Sequence, residues 1–533
     1  MEVFMSSNTS ILFRIIAATL AVIMLLGSVA CGSDPVDPSK GTEAPETEDP
    51  NVDPLEGLNF KGEAFTIHSS ANVISSQEGS FRSSNYLIQG ADEVQGDKAS
   101  DAAIQRNKLV ENNLNVKLNY IESDYSYDIA MSSVRDLIKG GADNINLIIN
   151  DIRLASLCTE GMFHDASYGR YFDFEKDHWY DNLMDSVGIE KGTRYVLMGD
   201  YFIDIIRYTN ALLFSKSLYT KLGMDGEAIY DYVRNQEWTL DKMTEILQGG
   251  EDLGYTYSTT YIDRTGNKKR DRRDTYGLVT SDWWGPLIPF FVSADPGYIS
   301  RNEDGYPELN IYNDRSIALT EKLTTMFHLP ESAIGKIHNY DMDDTITAFI
   351  EDRALFLGGQ MLGSLESEVF ANSEVDFAIL PYPKLDELQK NYVSPIHDTA
   401  EVGFIPSTIS FENLEVASAV VESLCRETTT TVIPKYYEST LKIRYARESA
   451  NAEMIQLIRD SYDSAFAIAW YLKVNDYTFF MESMLLSVMN NDNQFASHYK
   501  MYESAAQGMV DDWISDYEFI KESLEQQYTG AGK

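Results

Sequence analysis

The sequence predicts an α/β protein of two lobes with a helical carboxyl-terminal part. Three observations predict it. The 533-residue chain is too long for a single ordinary core, so two domains are the expectation. Between Ala64 and Asn150, strand-like and helix-like patterns alternate, which implies a parallel sheet flanked by helices, with ligands beyond the carboxyl ends of its strands. From Thr431 onward the pattern is almost wholly helical, and no short internal period points to a solenoid or propeller.

At the amino end, an apolar run over residues 15–26 follows Arg14 and falls short of the ~20 residues that a membrane-spanning helix needs. It predicts a signal peptide over residues 1–30. Small residues Gly27, Ser28 and Ala30 precede Cys31, and together they resemble a bacterial lipoprotein signal with Cys31 as the lipidated residue. Ser28 stands where such signals usually carry leucine, and Ser28-Val29-Ala30 also fits plain secretion. Two or more acyl chains would anchor the protein stably. Residues 31–57 are rich in proline and acid with almost no large apolar side chain, so they are expected to be a disordered tether. As a flexible chain it would span on the order of 25–30 Å.

Composition narrows the classes further. A formal net charge of −40, from 83 acids against 43 bases, argues against the basic face that phosphate neutralisation requires, so nucleic acid is not an expected partner. The charge reads as a solvated surface rather than a cation-binding one. The hydrophobic fraction of 44% is that of an ordinary globular protein. Beyond Cys31 only Cys158 and Cys425 remain; they are expected to be free buried thiols, with a single bridge as the alternative.

The elements follow in order. "AFTIHSS" reads as a strand, "DAAIQRNKLVENNLNV" as an amphipathic helix with Ala103, Val110 and Leu114 on one side, and "VKLNYIE" as a second strand of period two. "IAMSSVRDLIKGG" reads as a helix ended by paired glycines, before the apolar strand "NINLIIN". A second set starts near "YVLMGDYFIDIIRYTNALLFS" and runs through helices at "EAIYDYVRN" and "TLDKMTEILQ", where Thr239 is a good N-cap. "YGLVT", "RALFLGG" and "DFAILPYPK" read as strands, and "NAEMIQLIRDSYDSAFAIAWYL" is the clearest late helix.

Four segments in this order resemble the extracellular solute-binding proteins of bacterial ABC importers, especially the large lipoprotein members associated with carbohydrate uptake. "GDYFIDIIRYTNALLFSKSLYTKLGM" is similar to the family's passage between lobes, and "DYVRNQEWTLDKMTEI" to its W-T-[LW]-[DE]-[KE] helix start. "AFIEDRALFLGG" resembles the helix-turn-strand before the cleft, and "DFAILPYPKLDELQKNYVSP" the P-x-P turn on the return. The resemblance implies a periplasmic-binding-protein-like, type II flytrap with the ligand between its lobes, no catalytic group, and a membrane permease as partner. It implies lobe 1 from residues 58–205 with 385–430, lobe 2 from 206–384 with 431–533, and hinges near Ile205 to Asn210 and Leu380 to Lys384.

Sugar pockets combine flat aromatic rings with amides, carboxylates and guanidiniums. The resemblance implies that Trp283 or Trp284 faces the cleft, with core packing as the alternative, and that Arg207 and Tyr208 sit where the family often contributes a contact. It also selects Gln360, beside paired glycines that let backbone approach a ligand. Strand ends add Ser69, Ser70 and Asn72 after the first strand, and Asn150, Asp151 and Arg153 after the third. Turn formation and capping are the competing reading of these short polar residues. Trp238 reads as core.

Relatives often carry a calcium-type loop where this chain has "DRTGNKKRDRRDTYGL". Asp263, Asn267, Asp271 and Asp274 keep oxygen donors, whereas Lys268 replaces the turn glycine and five further bases crowd the loop, so a solvated charged loop is the competing reading. No other cofactor is expected. The seven histidines form no H-E-x-x-H, and the chain has no G-x-S-x-G, C-x-x-C or Gly-rich phosphate loop. Paired carboxylates of a surface glycoside hydrolase leave little local signature and remain the enzyme alternative. A sensory or adhesive lipoprotein is the other, and a monomer is expected.

Overall fold

The computed structural model describes residues 53–70, 83–90, 97–123, 127–249, 261–262, 268–269, 275–281, 284–295, 297–329, 332–335, 342–440, 449–462, 488, 491 and 494–531. The expected signal peptide, Cys31 and most of the expected tether lie outside them. The compact unit begins at Pro54, inside the expected tether, because Leu55 is buried and its carbonyl accepts the amide of Leu58.

The first half runs β1 (Glu63–Ser70), α1 (Lys98–Leu114), β2 (Val116–Ser123), α2 (Tyr127–Lys139), β3 (Leu147–Asp151), α3 (Asp181–Val187), α4 (Asp204–Arg207) and β4 (Asn210–Ser215). It continues through α5 (Lys216–Lys221), α6 (Ala228–Arg234), α7 (Leu240–Gln248), β5 (Tyr276–Ser281) and α8 (Trp284–Ser293). Next come β6 (Ile299–Arg301), β7 (Pro307–Leu309), α9 (Asp314–Phe327), β8 (Ser332–Gly335), α10 (Met342–Ile350), β9 (Ala354–Met361) and β10 (Phe377–Leu380). The chain closes with β11 (Glu401–Phe404), α11 (Phe411–Lys435), α12 (Ser449–Asp460) and α13 (Phe495–Ala531).

Two sheets organise these elements. The first has the order β11-β3-β1-β2, with β1 parallel to both neighbours and β11 returning antiparallel to β3. α1 forms because Asp97 caps its start, accepting from the amides of Ala99 at 2.9 Å and Ser100 at 3.4 Å. It ends at Asn115, whose φ of 51° is left-handed. Ala99, Ala103, Val110 and Leu114 are its buried face, packed with Phe65 and Ile67 of β1 in one core. Each such large side chain stabilises by about 1.5–3 kcal/mol relative to exposure. The second sheet has the order β8-β5-β9-β4-β10, parallel from β8 to β9 and antiparallel across β4. The alternating pattern is therefore realised as two separate α/β layers.

Several local expectations are met. Thr239 caps α7 by accepting from the Lys242 amide at 3.2 Å. Trp238 is fully buried and donates from Nε1 to the Pro381 carbonyl at 2.9 Å. Cys158 and Cys425 are both buried and not joined by a disulfide. Among the described residues no helix is long and apolar enough to cross a membrane.

The chain passes between the sheets at Tyr208-Thr209-Asn210 and returns through residues 394–400. Thr209 pairs with Ile396, the His397 amide donates to the Tyr208 carbonyl at 2.8 Å, and the Asn210 amide to Pro395 at 3.0 Å. Tyr462 joins them, its hydroxyl accepting from Thr209 Oγ1 at 2.9 Å. The segment from Leu380 to Lys384, expected to be a hinge, stays with the second sheet instead. Its Lys384 pairs with Thr239, and Leu240 donates to the Lys384 carbonyl at 2.8 Å, so the buried Trp238 corner holds it there.

Candidate functional site

The carboxyl ends of β1 and β3 and the first residue of β11 meet the first crossing in one buried polar cluster. Ser70 ends β1 with its hydroxyl donating to Glu401, and Ser84 reaches the other Glu401 oxygen at 3.5 Å. In register, Glu401 stands opposite Asp151 and Val402 opposite Asn150. Burial, reinforced by Asp204, pushes the Glu401 carboxyl well above its ordinary range, against the pull of Ser70 and Arg207.

Two arginines carry the cluster's positive charge. Arg153 donates to Asp151 from its amide at 2.9 Å and from Nε at 2.8 Å, and from Nη1 to Asp398 at 3.1 Å. Asp398 also meets His397 at 3.0 Å. Burial works against ionisation of Asp398, yet Arg153 and His397 outweigh it and hold the carboxyl down at about 2. Burial raises Asp151 despite Arg153. Arg207 is fully buried and donates from Nη1 to Asp204 at 2.8 Å, and to both oxygens of Glu366 at 2.8 and 3.1 Å. Tyr436 adds a hydroxyl to Glu366 at 2.7 Å, and the Tyr86 ring lies 5.7 Å from the guanidinium. Burial opposes the charge on Arg207, and Glu366 and Asp204 overcome it, so it stays protonated.

This cluster brings together Ser70, Asn150, Asp151, Arg153, Arg207 and Tyr208. Tyr208 is buried, and its hydroxyl is pushed up by burial first and then by Asp204 and Glu401. Ser69 lies beside Ser70, buried, with its carbonyl accepting from Ser123 at 3.5 Å. Asn150 spends its carbonyl oxygen on the Asp151 amide at 2.8 Å, while its Nδ2 is buried without a hydrogen-bond partner among the described residues.

Gln360 belongs to the second sheet, opposite Ala211 at an irregularity in β9. There Gly359 takes a φ of 75° and donates its amide to the Tyr382 hydroxyl at 2.8 Å rather than to a strand. Two residues on, the Leu362 amide donates to the crossing's Thr209 carbonyl at 2.9 Å. Both amide atoms of Gln360 are fully buried and have no hydrogen-bond partner among the described residues, as is true of Thr280 Oγ1 at the end of β5. Leaving a buried polar group unpaired costs about 1–3 kcal/mol, so these atoms mark places where a bound polar molecule has something to gain.

Asn72, Trp283, Asp263, Asn267, Asp271 and Asp274 lie outside the described residues, as does the Trp284 side chain, although Trp284 does open α8. Among the described residues no group of three or more His, Cys, Asp or Glu is arranged to hold a metal. Sequence reasoning missed Ser84, Asp204, Glu366, Asp398, Glu401 and Tyr436. One signal was available for two of them: an acid and a base three residues apart in the apolar run "YFIDIIRYT" are buried on one face of a helix and must pair.

No protein-family model and no curated protein matches the chain. Solved structures do. The cyclic α-maltosyl-1,6-maltose binding protein from Arthrobacter globiformis aligns with a TM-score of 0.53 at 12% identity, covering 85% of this chain and 100% of that one. The galacto-N-biose-/lacto-N-biose I-binding protein of the ABC transporter from Bifidobacterium longum aligns with a TM-score of 0.52 at 11% identity, covering 86% and 98%. A cyclo/maltodextrin-binding protein complexed with maltotetraose aligns at 0.51 and 10% identity, covering 86% and 98%. At such identities the likeness shows the fold: this chain has the two-lobed architecture of the solute-binding proteins.

Proposed function

We propose that this chain, built on the two-lobed solute-binding fold, is a lipid-anchored extracellular protein that captures a carbohydrate and delivers it to an ABC transporter permease. One observation carries the reading: the polar cluster lies where the crossings join the two sheets, with contributions from both, and the Gln360 amide, Asn150 Nδ2 and the Thr280 hydroxyl offer neutral polar atoms without hydrogen-bond partners among the described residues. Neutral hydrogen-bonding groups of that kind suit the polar edges of a polyhydroxylated ligand. The structural neighbours are named for sugars, which supports the same class. Trp283 or Trp284 supplies the flat face for a sugar ring, while Ser70, Asn72, Asn150, Asp151, Arg153, Arg207 and Tyr208 line or support the pocket.

In this reading Cys31 bears the lipid and the acidic tether keeps the body near the permease, which raises the local concentration of loaded protein. Ligand contacts to both lobes favour closure by their differential affinity. The loop with Asp263, Asn267, Asp271 and Asp274 is a solvated charged loop rather than a calcium site, given its six bases.

A thermal-shift screen against mono- and oligosaccharides, peptides and calcium, with product analysis of every hit, tests the proposal. A sugar that stabilises the protein and is recovered intact is the expected result. Stabilisation only by peptides, or a sugar that is cleaved, overturns it, and cleavage makes the chain a glycoside hydrolase.

A further inference from the structure

Away from the crossings, a second set of contacts joins the two sheets' lobes. The hairpin of β6 and β7 belongs to the second lobe. It follows α8, which packs on β5 and β9, and its base is fixed there by stacking of Tyr298 on Phe291 at 5.1 Å. Its tip reaches the first lobe, where the Leu197 amide donates to the Gly403 carbonyl of β11 at 2.8 Å and Arg194 Nη2 donates to Asp181 of α3 at 2.7 Å.

Arg301 is the side chain at the centre of the join. Arg301 Nη1 closes the hairpin's own turn by donating to the Gly305 carbonyl at 2.8 Å. Its Nη2 donates across to the carbonyls of Asp185 and Gly188, both at 2.7 Å. These are carbonyls at the carboxyl end of α3, which have no partner within the helix and which a cation satisfies well. The Gly305 carbonyl accepts in turn from the Lys191 amide at 3.1 Å. Gly305 has a φ of 84°, and a Cβ there would come within 3.2 Å of the Lys191 Cβ, so the tip is shaped to its seat.

The long helix α13 covers this junction. At its start Tyr499 stacks on Tyr312 of the second lobe at 5.2 Å. Further along, Tyr517 and Lys521 both reach Glu190 of the first lobe, at 3.1 and 2.7 Å, and both lie against Tyr306 of the hairpin, at 6.3 and 6.0 Å. Near its end Tyr528 stacks on Tyr168 at 3.8 Å.

We propose that the β6–β7 hairpin is an inter-lobe clasp in which Arg301 is the positioning residue, tying the second lobe to the last carbonyls of α3 and biasing the lobes toward this arrangement before any ligand arrives. A lobe equilibrium set in this way changes apparent affinity through the fraction of competent protein, without any contact to the ligand.

The test uses the full chain without ligand, so it stands whatever the chain binds. Hydrogen exchange of the Lys191 amide and small-angle scattering are measured for wild type and Arg301→Gln. Exchange at Lys191 is expected to rise at least about tenfold, together with a larger radius of gyration. Wild-type exchange overturns the proposal. So does faster exchange with unchanged scattering, because the hairpin then frays without holding the lobes. Should Arg301→Gln fail to fold, Arg301→Lys retains the charge and one donor direction and is read the same way: intermediate exchange with a larger radius supports the clasp, and wild-type values for both refute it.

Discussion

Replacing Glu366 by alanine removes the second lobe's hold on Arg207 and tests whether that ion pair joins the lobes. The carboxylate accepts two bonds from Arg207, at 2.8 and 3.1 Å, and one from Tyr436 at 2.7 Å. Its side chain is 7% exposed and that of Arg207 0%, so solvent screens the pair little. Breaking one partner of a buried pair costs about 3–5 kcal/mol, because the remaining charge stays out of water. Arg207 keeps Asp204 at 2.8 Å, which places the expected loss toward about 3 kcal/mol. Glu366→Gln retains the shape and one acceptor for Arg207 and Tyr436, and should lose less. Urea unfolding of both variants, with Arg207→Met and the double variant completing a cycle, measures the coupling, expected near 2 kcal/mol. A loss under about 1 kcal/mol, the value of an exposed pair, would refute the argument.

Two further outcomes follow from the same cluster. Gln360→Leu should leave urea stability unchanged or improved, since both amide atoms lack hydrogen-bond partners among the described residues, yet weaken binding of any sugar found in the screen by about 10- to 100-fold; calorimetric titration that finds equal affinity removes Gln360 from the site. Glu401 is protonated to a higher pH when folded than when unfolded, so the folded state binds the extra proton and this group's contribution to stability falls as pH rises from the ordinary carboxylate value through the raised one. Glu401→Gln imitates the protonated acid, and its stability should decline less than wild type between about pH 5 and about pH 8; parallel stability curves would count against the raised value.

The fold was legible where pattern and packing agree. β1, α1, β2, α2 and β3 repeat a short unit in which apolar spacing alone tells strand from helix, and all five stand where the pattern puts them. The second crossing was not legible, because "DFAILPYPK" ends as a strand ends and nothing local says that Trp238 fastens the next residues to α7. The cluster was half legible for a related reason. Residues at strand ends, such as Ser70 and Asp151, can be selected by position, whereas Glu401, Glu366 and Asp398 lie more than 150 residues away in the chain from Ser70, Arg207 and Arg153, which they respectively meet. Only the fold brings them to those partners. The clasp left still less trace: Arg301 acts on backbone carbonyls, and any sequence can supply those.

The pairing scheme of the two arginines bears on how such lobes can move. Each guanidinium has one carboxylate close in sequence and one far away: Arg153 has Asp151 and Asp398, and Arg207 has Asp204 and Glu366. The near partner travels with its arginine through any motion of the crossing, so the charge stays compensated when the far partner leaves. An arginine held only by a remote acid would face the full cost of an unpaired buried charge, several kcal/mol, each time the lobes parted. With a resident partner, separation exchanges one carboxylate for water at an opening surface, where the effective dielectric rises and the interaction weakens several-fold. The remote Glu366, which follows β9 of the second sheet, can therefore favour one lobe arrangement without locking it. A clasp built on neutral carbonyls extends that economy, since a helix end and a hairpin turn return to water at less cost than a carboxylate and a guanidinium torn apart.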